Sequence, residues 1–465
     1  MSALVGLDVG TTGVKAIAIT PDGEVVSSAE EAYELSTPRP GWSEQDPEDW
    51  LRASENALAR LGVEAPRVGF SGQMHGLVCL DERGHVLRPA ILWNDQRTGA
   101  ECAEIEQRVG LERLISLTGN RALPGFTAPK LLWLRRHEPE VYARVHRIML
   151  PKDYVRLRLT GEWAIDVADA SGTLLFDVAN RSWSAEVLAA LDLPHAWLPP
   201  VHESTEIAGA GDQQAAAIGV GVIEPGIVSI VLGTSGVVLA ALPTYAHDRQ
   251  ARVHAFCHAV PGTWEAMGVM LNAAGSLRWF RDALAPALPF DELTAEAARW
   301  PPGAEGAIFL PYLQGERTPH ADPGARGAFT GLSVRSDRGA LVRVVLEGVA
   351  YGLRDSLELL RELGVRPEKG RVSGGGARSS LWLEIVASVL ELPLELTVVE
   401  EGSAYGAALL AGVAEGVFAD ANEAVRACVR VRGTVEPNDP WARVYAEGYA
   451  RFRALYPAVR GVENP

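Results

Sequence analysis

The residues best suited to chemistry near the start of the chain are Asp8 and the turn that follows it, Gly10, Thr11 and Thr12. They come directly after the apolar residues 4–7, which predict a buried strand that ends near Asp8. A carboxylate there needs a compensating partner, and Mg²⁺ is commonly held by one or two carboxylates together with phosphate oxygens. The turn offers backbone N–H groups and hydroxyls to a phosphate. An ordinary hairpin turn could have the same composition.

A second segment halfway along the chain repeats this pattern, with Gly233, Thr234 and Ser235 after the apolar residues 229–232. In both segments apolar and β-branched residues resume after the turn, which predicts a β-hairpin. The repetition favours two related domains that face each other. Their two turns could then hold the phosphates of a nucleotide from both sides of a cleft.

Gly374, Gly375 and Gly376 form a third glycine cluster, between a short apolar strand and the helical run that starts near Ser379. Glycines before a helix let a phosphate or a flat ligand lie against the backbone. A triple glycine by itself is more often a plain loop. Because the chain also carries two phosphate-type turns, we predict that this cluster contacts the adenosine of the same nucleotide.

Strands and helices alternate around these motifs. Residues 341–360 carry leucine and valine at steps of three and four, which indicates one apolar face of a long helix, and Gly364 stands where a helix end favours glycine. Residues 67–72 indicate a buried strand. The alternation predicts an α/β class with mixed sheets. Since 465 residues are too many for one hydrophobic core, we predict two domains, 1–221 and 222–465.

The bulk composition argues against several classes of function. The net charge is −16 and the chain has no Lys/Arg block, so nucleic acid is not an expected partner. The four cysteines are scattered without a C-x-x-C pair, which indicates neither a zinc site nor a disulfide framework and favours a reducing compartment. The sequence shows neither a signal-peptide pattern nor an apolar run of membrane-spanning length. We therefore expect a soluble, cytoplasmic protein without a membrane partner.

The two hairpins, with an aspartate on the first, resemble the ATPase fold shared by actin, hexokinase and the FGGY carbohydrate kinases. Residues 125–134, GFTAPKLLWL, match the first FGGY signature, and residues 327–347 resemble the second. The resemblance extends from residue 4 to about residue 412. It implies a two-domain actin/hexokinase-like fold of ribonuclease H-like domains with a deep interdomain cleft. The N-terminal domain would bind the sugar and the C-terminal domain the nucleotide.

The same resemblance suggests the catalytic groups and the cofactors, ATP and Mg²⁺. Asp212 stands where the family has a Gly-Gly-Asp segment, whose aspartate accepts the proton of the sugar hydroxyl. Such a hydroxyl is a poor nucleophile, and a carboxylate within hydrogen-bonding reach can orient it and take its proton. Asp8 and Asp212 would both hold the metal. The other interpretation of Asp212 is a capping residue of the helix that follows it.

Five segments further resemble the family members that phosphorylate D-xylulose: residues 41–47, 72–76, 91–95, 151–154 and 313–320. Glycerol kinases carry an Arg-Glu pair after the equivalent of Gln73, and this chain does not. The resemblance implies ATP-dependent conversion of D-xylulose to D-xylulose 5-phosphate. Another sugar or polyol, such as ribulose, fuculose or gluconate, and a non-catalytic ATP-binding role are the alternatives. A homodimer is possible.

By the same resemblance, the substrate-binding residues are Gln73, Met74, His75, Trp93 and Asp95. His75 follows a predicted buried strand, where the crevices of α/β proteins bind ligands. Met74 and His75 could instead be ordinary core residues. Trp93 and Asp95 could either face the sugar or support the site from behind.

One segment departs from the family. Residues 204–209 run almost directly into Asp212, where family members have a helix and a strand. Loss of a core strand would leave the backbone groups of its neighbours unpaired. We therefore expect a break in the chain between Glu203 and Asp212. A continuous chain would instead imply that the strand is missing, and the reach of Asp212 to the sugar would be in doubt.

Overall fold

The computed structural model describes residues 3–63, 67–400 and 402–463. The strands within these ranges are, in chain order, β1 (Leu4–Val9), β2 (Gly13–Ile19), β3 (Val25–Ala32), β4 (Glu44–Gln45), β5 (Val68–Gly72), β6 (Val78–Leu80), β7 (Ala90–Ile91), β8 (Arg147–Met149), β9 (Ile165–Asp166), β10 (Phe176–Asp177), β11 (Ser182–Trp183), β12 (Val201–His202), β13 (Gly209–Gly211), β14 (Ile227–Leu232), β15 (Gly236–Leu242), β16 (His254–Cys257), β17 (Trp264–Met270), β18 (Ile308–Leu310), β19 (Ala328–Thr330), β20 (Lys369–Ser373), β21 (Leu394–Thr397) and β22 (Val431–Val435).

The α-helices of the same ranges are α1 (Pro47–Leu61), α2 (Gly99–Val109), α3 (Leu111–Thr118), α4 (Thr127–His137), α5 (Pro139–Tyr142), α6 (Pro151–Thr160), α7 (Val167–Ser171), α8 (Ala185–Leu191), α9 (Ser204–Ile207), α10 (Asp212–Val220), α11 (Ala274–Leu284), α12 (Phe290–Ala297), α13 (Arg338–Glu362), α14 (Ser380–Leu390), α15 (Gly402–Ala414), α16 (Ala421–Cys428) and α17 (Asp439–Glu463). The helix predicted over residues 341–360 is confirmed as α13. None of the described helices is long and apolar enough to cross a membrane.

Two large sheets repeat one arrangement of strands. The first has the order β13-β5-β1-β2-β3, and the second contains the run β21-β20-β14-β15-β17. In each sheet the central hairpin, β1–β2 or β14–β15, is antiparallel, and a parallel strand, β5 or β20, lies beside its first strand. Both predicted hairpins are therefore confirmed. The internal repeat in the sequence corresponds to two related α/β halves.

Helices α10 and α15 pack against each other beside the first sheet, through small residues. A Cβ atom added to Gly406 of α15 would lie 1.8 Å from the backbone oxygen of Ala215 in α10. A Cβ atom added to Gly6 of β1 would lie 1.9 Å from the backbone oxygen of Ala404. The backbones of α15, α10 and β1 are therefore in direct contact, and α15 holds the start of α10 against the sheet edge.

The segment predicted to be broken is continuous. After α9, Ala208 adopts a positive φ of 51°, and β13 pairs in parallel with β5, with Gly209 opposite Phe70. The prediction of a break between Glu203 and Asp212 is therefore wrong. The strand is not missing either, because three small residues supply it and pair with the backbone of β5. Asp212 follows this strand directly.

Candidate active site

Three neighbouring parallel strands bring the two predicted catalytic carboxylates to one edge of the first sheet. In the register of β1, β5 and β13, Asp8 lies opposite Ser71, and Ser71 lies opposite Ala210. Since β13 ends at Gly211, Asp212 follows at the carboxyl end of the sheet, where α/β crevices bind ligands. Asp212 is the first residue of α10, and Gly211 occupies the capping position.

The electrostatics of this pair suit a bound cation. Burial raises the pKa of Asp8 to about 6, opposed by the hydroxyl of Ser71, which donates to Asp8 Oδ1 at 2.9 Å. Burial, and then the negative charge of Asp8, raise the pKa of Asp212 to about 7. A carboxylate whose ionisation is opposed by a neighbouring carboxylate fits a hard divalent cation with oxygen ligands. The predicted Mg²⁺ site at Asp8 and Asp212 is chemically consistent with these residues.

Gln73 supports the first turn. It is 2% exposed; its Nε2 donates to Gly10 O at 3.3 Å, and its Oε1 accepts from the Thr11 hydroxyl at 3.4 Å. The Trp93 indole N–H donates to the same hydroxyl oxygen at 2.9 Å. Gln73 is predicted from the sequence to contact the sugar, and the structure places its amide against the turn that contains Gly10, Thr11 and Thr12. Gln73 does not line the cavity between the two halves of the protein, which Met74, His75 and Asp212 line.

The second turn is held by the start of α11. Thr234 O accepts from Ala273 N at 2.8 Å, and Gly233 O accepts from Ala274 N at 2.8 Å. These bonds fix the turn through its carbonyl groups. Ser235, which the sequence predicts to contact the nucleotide, lines the same cavity as Met74, His75 and Asp212. The turn therefore reaches the cavity between the two halves.

A cavity of about 240 Å³ lies at the third glycine cluster. Gly374 has a φ of 90°, and a Cβ atom there would lie 2.7 Å from the carbonyl of Leu232, so glycine lets this loop approach β14. Gly374 and Gly375 line the cavity, whereas Gly376 packs against the ring of Trp382. The cavity also has polar and charged walls that are not predicted from the sequence: Lys15, Ser373, Arg378, Thr397, Glu400 and Arg432.

A second cavity, of about 230 Å³, lies between the two halves of the protein. It brings together four of the predicted residues, Met74, His75, Trp93 and Asp212, from the first half. Eight further residues of its walls are not predicted from the sequence. These are Leu123, Gly125, Phe126 and Gln213 from the first half, and Val237, Met267, Val269 and Arg317 from the second.

His75 is held in a defined protonation state. Its Nδ1 lies 2.6 Å from Gly172 O, and a carbonyl can only accept, so Nδ1 carries the proton. Burial and the nearby charge of Lys130 lower the pKa of His75 to about 3, which keeps the ring neutral. Lys130 Nζ donates to His75 O at 2.8 Å and fixes its backbone, whose φ is 68°. Nε2 therefore carries a lone pair, which can accept a hydrogen bond from a sugar hydroxyl.

Asp95 lies behind the cavity wall. It is fully buried, and its Oδ2 accepts from Ser43 N and from Arg97 Nη2, both at 2.7 Å. Of the two interpretations that the sequence leaves open for Asp95, the structure favours support from behind the site, because the carboxylate is paired with Arg97. Asp95 therefore supports the loop from which Trp93 reaches the cavity.

A buried contact joins the helix that carries Asp212 to the second sheet. Gln214 Nε2 donates to Glu265 Oε1 of β17 at 2.7 Å. Glu265 is fully buried, and burial raises its pKa from 4.5 to about 8. Between these values the folded protein keeps a proton that the unfolded chain releases. The stability that protonated Glu265 contributes is therefore lost as the pH rises from 4.5 to about 8, and it is present in full below pH 4.5.

We expect Glu265→Gln to melt at a higher temperature than the parent protein at pH 8.5, with a much smaller difference at pH 5. The amide keeps the contact with Gln214 and removes the group that ionises. Thermal melts at the two pH values measure this difference. Glu55→Gln, at an exposed position of α1, is the control and should show no such pH-dependent gain. A gain from Glu265→Gln that is equal at both pH values would contradict the assignment.

Two family models match the chain: the N-terminal domain of the FGGY family of carbohydrate kinases over residues 3–242, and the C-terminal domain over residues 228–415. A xylulose kinase of Escherichia coli (strain K12) is 43% identical over 436 residues, which cover 88% of this chain and 90% of the relative. A xylulose kinase of Lactococcus lactis is 38% identical over 486 aligned positions, which cover 98% of this chain and 97% of the relative.

The crystal structure of xylulose kinase from Rhodospirillum rubrum matches with a TM-score of 0.92 and 33% sequence identity, over 100% of both chains. The two-domain fold expected from the sequence, with its interdomain cleft, is thereby confirmed. The two family models together match residues 3–415. The chain belongs to the FGGY family of carbohydrate kinases.

Proposed function

We propose that this protein transfers the γ-phosphoryl group of ATP to the 5-hydroxyl of D-xylulose, which gives D-xylulose 5-phosphate and ADP. The observation that carries the proposal is the convergence of Met74, His75 and Asp212 on one cavity that the second hairpin turn also enters at Ser235. The choice of sugar is supported by the xylulose kinases among the relatives. The absence of the Arg-Glu pair after Gln73 argues against glycerol.

Asp212 is the proposed base. It orients the sugar hydroxyl and takes its proton while the hydroxyl oxygen bonds to the γ-phosphorus and the bond to the β–γ bridging oxygen breaks. The two Gly-Thr turns position the phosphates through backbone N–H groups and hydroxyls. Mg²⁺, held by Asp8, Asp212 and the phosphates, would neutralise the charge that develops on the transferred group. Positioning and charge neutralisation supply most of the rate enhancement of such a transfer.

The two predicted domains have different ligands in this proposal. We infer that residues 1–221 bind the sugar and residues 222–465 bind the adenosine. A cytoplasmic location is favoured by the four cysteines, which are buried free thiols. The predicted homodimer remains a prediction.

Sugar-dependent ADP release tests the proposal, with D-xylulose, ribulose, fuculose, gluconate and glycerol as acceptors. We expect kcat/KM for D-xylulose to exceed that for each other acceptor by at least about tenfold, because a cavity wall that hydrogen-bonds one acceptor leaves polar groups unpaired with another. Phosphorus NMR of the product locates the phosphate. A faster alternative acceptor would overturn the sugar assignment. ADP release that never depends on a sugar would favour the non-catalytic role.

A further inference from the structure

The cavity between the two halves, which Met74, His75 and Asp212 line, is called the sugar cavity from here on. Among the described residues, Arg317 is the one charged side chain that the second half contributes to it. The other contributions from that half are Ser235 and three apolar side chains: Val237, Met267 and Val269. An arginine among apolar walls requires compensation, because a desolvated charge without a partner is costly. The presence of a charged guanidinium at this apolar wall therefore needs an explanation.

The backbone on both sides of Arg317 is firmly held. Glu316 Oε1 accepts from Leu271 N at 2.9 Å and from Arg317 N at 2.7 Å. On the other side, Thr318 N donates to Val269 O at 3.0 Å, and the Thr318 hydroxyl accepts from Val269 N at 3.0 Å. These bonds anchor the segment to β17. The guanidinium is therefore presented from a fixed base rather than from a loose loop.

Within the described ranges, no hydrogen bond or salt bridge engages the guanidinium of Arg317, and the carboxyl of Glu316 acts on it only through its charge. The adjacent carboxyl of Glu316 faces backbone amides, and burial raises its pKa to about 8, so it does not supply a full countercharge at neutral pH. Arginine remains charged under all ordinary conditions. The missing acceptor must come from outside the chain, and the cavity that Arg317 lines is the place for it.

The neighbours of Arg317 indicate which end of the cavity it serves. Its charge contributes to lowering the pKa of both His75 and His254. These two rings pack on Phe126, with centroid distances of 4.8 Å for His75 and 5.9 Å for His254. This end of the cavity therefore offers a neutral hydrogen-bond acceptor, His75 Nε2, and a cationic donor, the guanidinium of Arg317. Asp212 supplies the separate acceptor for the hydroxyl that is phosphorylated.

We propose that Arg317 binds the carbonyl end of the sugar, donating to its ketone oxygen while His75 accepts from the neighbouring hydroxyl, and that the same pair binds the carboxylate of five-carbon sugar acids. An α-hydroxyketone offers one donor and one strong acceptor on adjacent carbons, which matches the pair. A carboxylate matches the planar guanidinium even better, since it can accept two parallel N–H bonds. This inference rests on the proposed function and extends it to a class of competing ligands.

Calorimetric binding without ATP tests the proposal, with D-xylonate as the anionic probe and xylitol as its neutral counterpart. At physiological ionic strength we expect the parent protein to bind D-xylonate at least about tenfold more tightly than xylitol, as a charge-assisted hydrogen-bonded pair would predict. Arg317→Gln should abolish this preference, and Arg317→Lys should keep part of it. KM for D-xylulose should rise at least about tenfold in Arg317→Gln, by the same reasoning.

Arg326→Gln is the matched control. Arg326 is an exposed arginine of the same region that donates to Pro323 O and Ala325 O outside the cavity. The Arg326→Gln variant should leave both the preference for D-xylonate over xylitol and the KM for D-xylulose unchanged. The melting temperature of Arg317→Gln should not fall, because the guanidinium has no protein acceptor to lose.

The outcomes separate the two proposals. An Arg317→Gln protein that keeps both the preference for D-xylonate and the KM of the parent would overturn the role of Arg317. A parent protein that binds D-xylonate through Arg317 but does not phosphorylate D-xylulose would overturn the proposed function and leave this inference standing. A parent protein that binds xylitol as tightly as D-xylonate would also contradict the inference.

Discussion

Asp212→Asn should lower kcat for sugar phosphorylation by a factor on the order of 10²–10⁴, the range expected when a general base is removed. The amide can still orient the sugar hydroxyl, but it cannot accept the proton as the new O–P bond forms. KM for the sugar should change little, since His75 and the cavity walls remain. Steady-state ADP release at saturating ATP and Mg²⁺ measures both constants.

Stability measurements separate this effect from misfolding. Asp212 has a raised pKa, because burial and the charge of Asp8 oppose its ionisation. At pH 8 the folded protein therefore holds a carboxylate that would ionise more readily in the unfolded chain, and a neutral amide removes that cost. Asp212→Asn should melt at the same temperature as the parent protein or higher. A large loss of stability would contradict the electrostatic account of the site.

Asp355→Asn is the matched control for the same chemical change. Asp355 is a buried carboxyl in α13, and burial raises its pKa to about 6. It accepts from the Tyr449 hydroxyl at 2.7 Å and does not line either cavity described above. Its amide variant should keep the kcat of the parent. If Asp212→Asn retained more than about a tenth of the parental kcat while folded, general-base catalysis by Asp212 would be refuted.

The sequence predicts the parts of the site that have local signals. The two hairpin turns follow from apolar strands that end in Gly-Thr pairs, and α13 follows from its three- and four-residue periodicity. The short strand β13 has no such signal, because Gly209, Ala210 and Gly211 have little preference for strands. It forms because the edge of β5 offers unpaired backbone groups in a buried place. A Cβ atom on Gly211 would lie 2.8 Å from Met74, so this close approach requires a small residue.

Gln73 and Asp95 show why a sequence pattern does not reveal which side chains line a cavity. Gln73 adjoins Met74, but its amide is held by Gly10 and does not line the cavity. Asp95 is two positions from Trp93, but its carboxylate is held by Arg97 behind the cavity wall. A one-dimensional pattern does not reveal which side faces the ligand. Arg317 is missed for a different reason. It comes from the far half of the chain, and only the folded cleft brings it to His75.

Gly406→Ala should destabilise the protein by roughly 3 kcal/mol or more, at or beyond the upper end of the usual cost of overpacking a core. The added Cβ would lie 1.8 Å from the backbone oxygen of Ala215, a distance that no rotamer change can relieve, because both groups belong to helices. Helix α15 would have to move away from α10. Because α10 begins at Asp212, the strain acts directly on the helix that positions the proposed base.

Gly99→Ala, at the first residue of α2, is the control, since nothing lies within 4 Å of a Cβ atom there. That variant should be neutral or slightly stabilised, as expected for alanine in place of glycine in a helix. Urea unfolding measures the free energies of all three proteins. If Gly406→Ala unfolds at the parental urea concentration, the direct backbone contact between α10 and α15 is refuted. If it is destabilised as expected, its remaining folded fraction should also show a reduced kcat, because the same contact sets the position of Asp212.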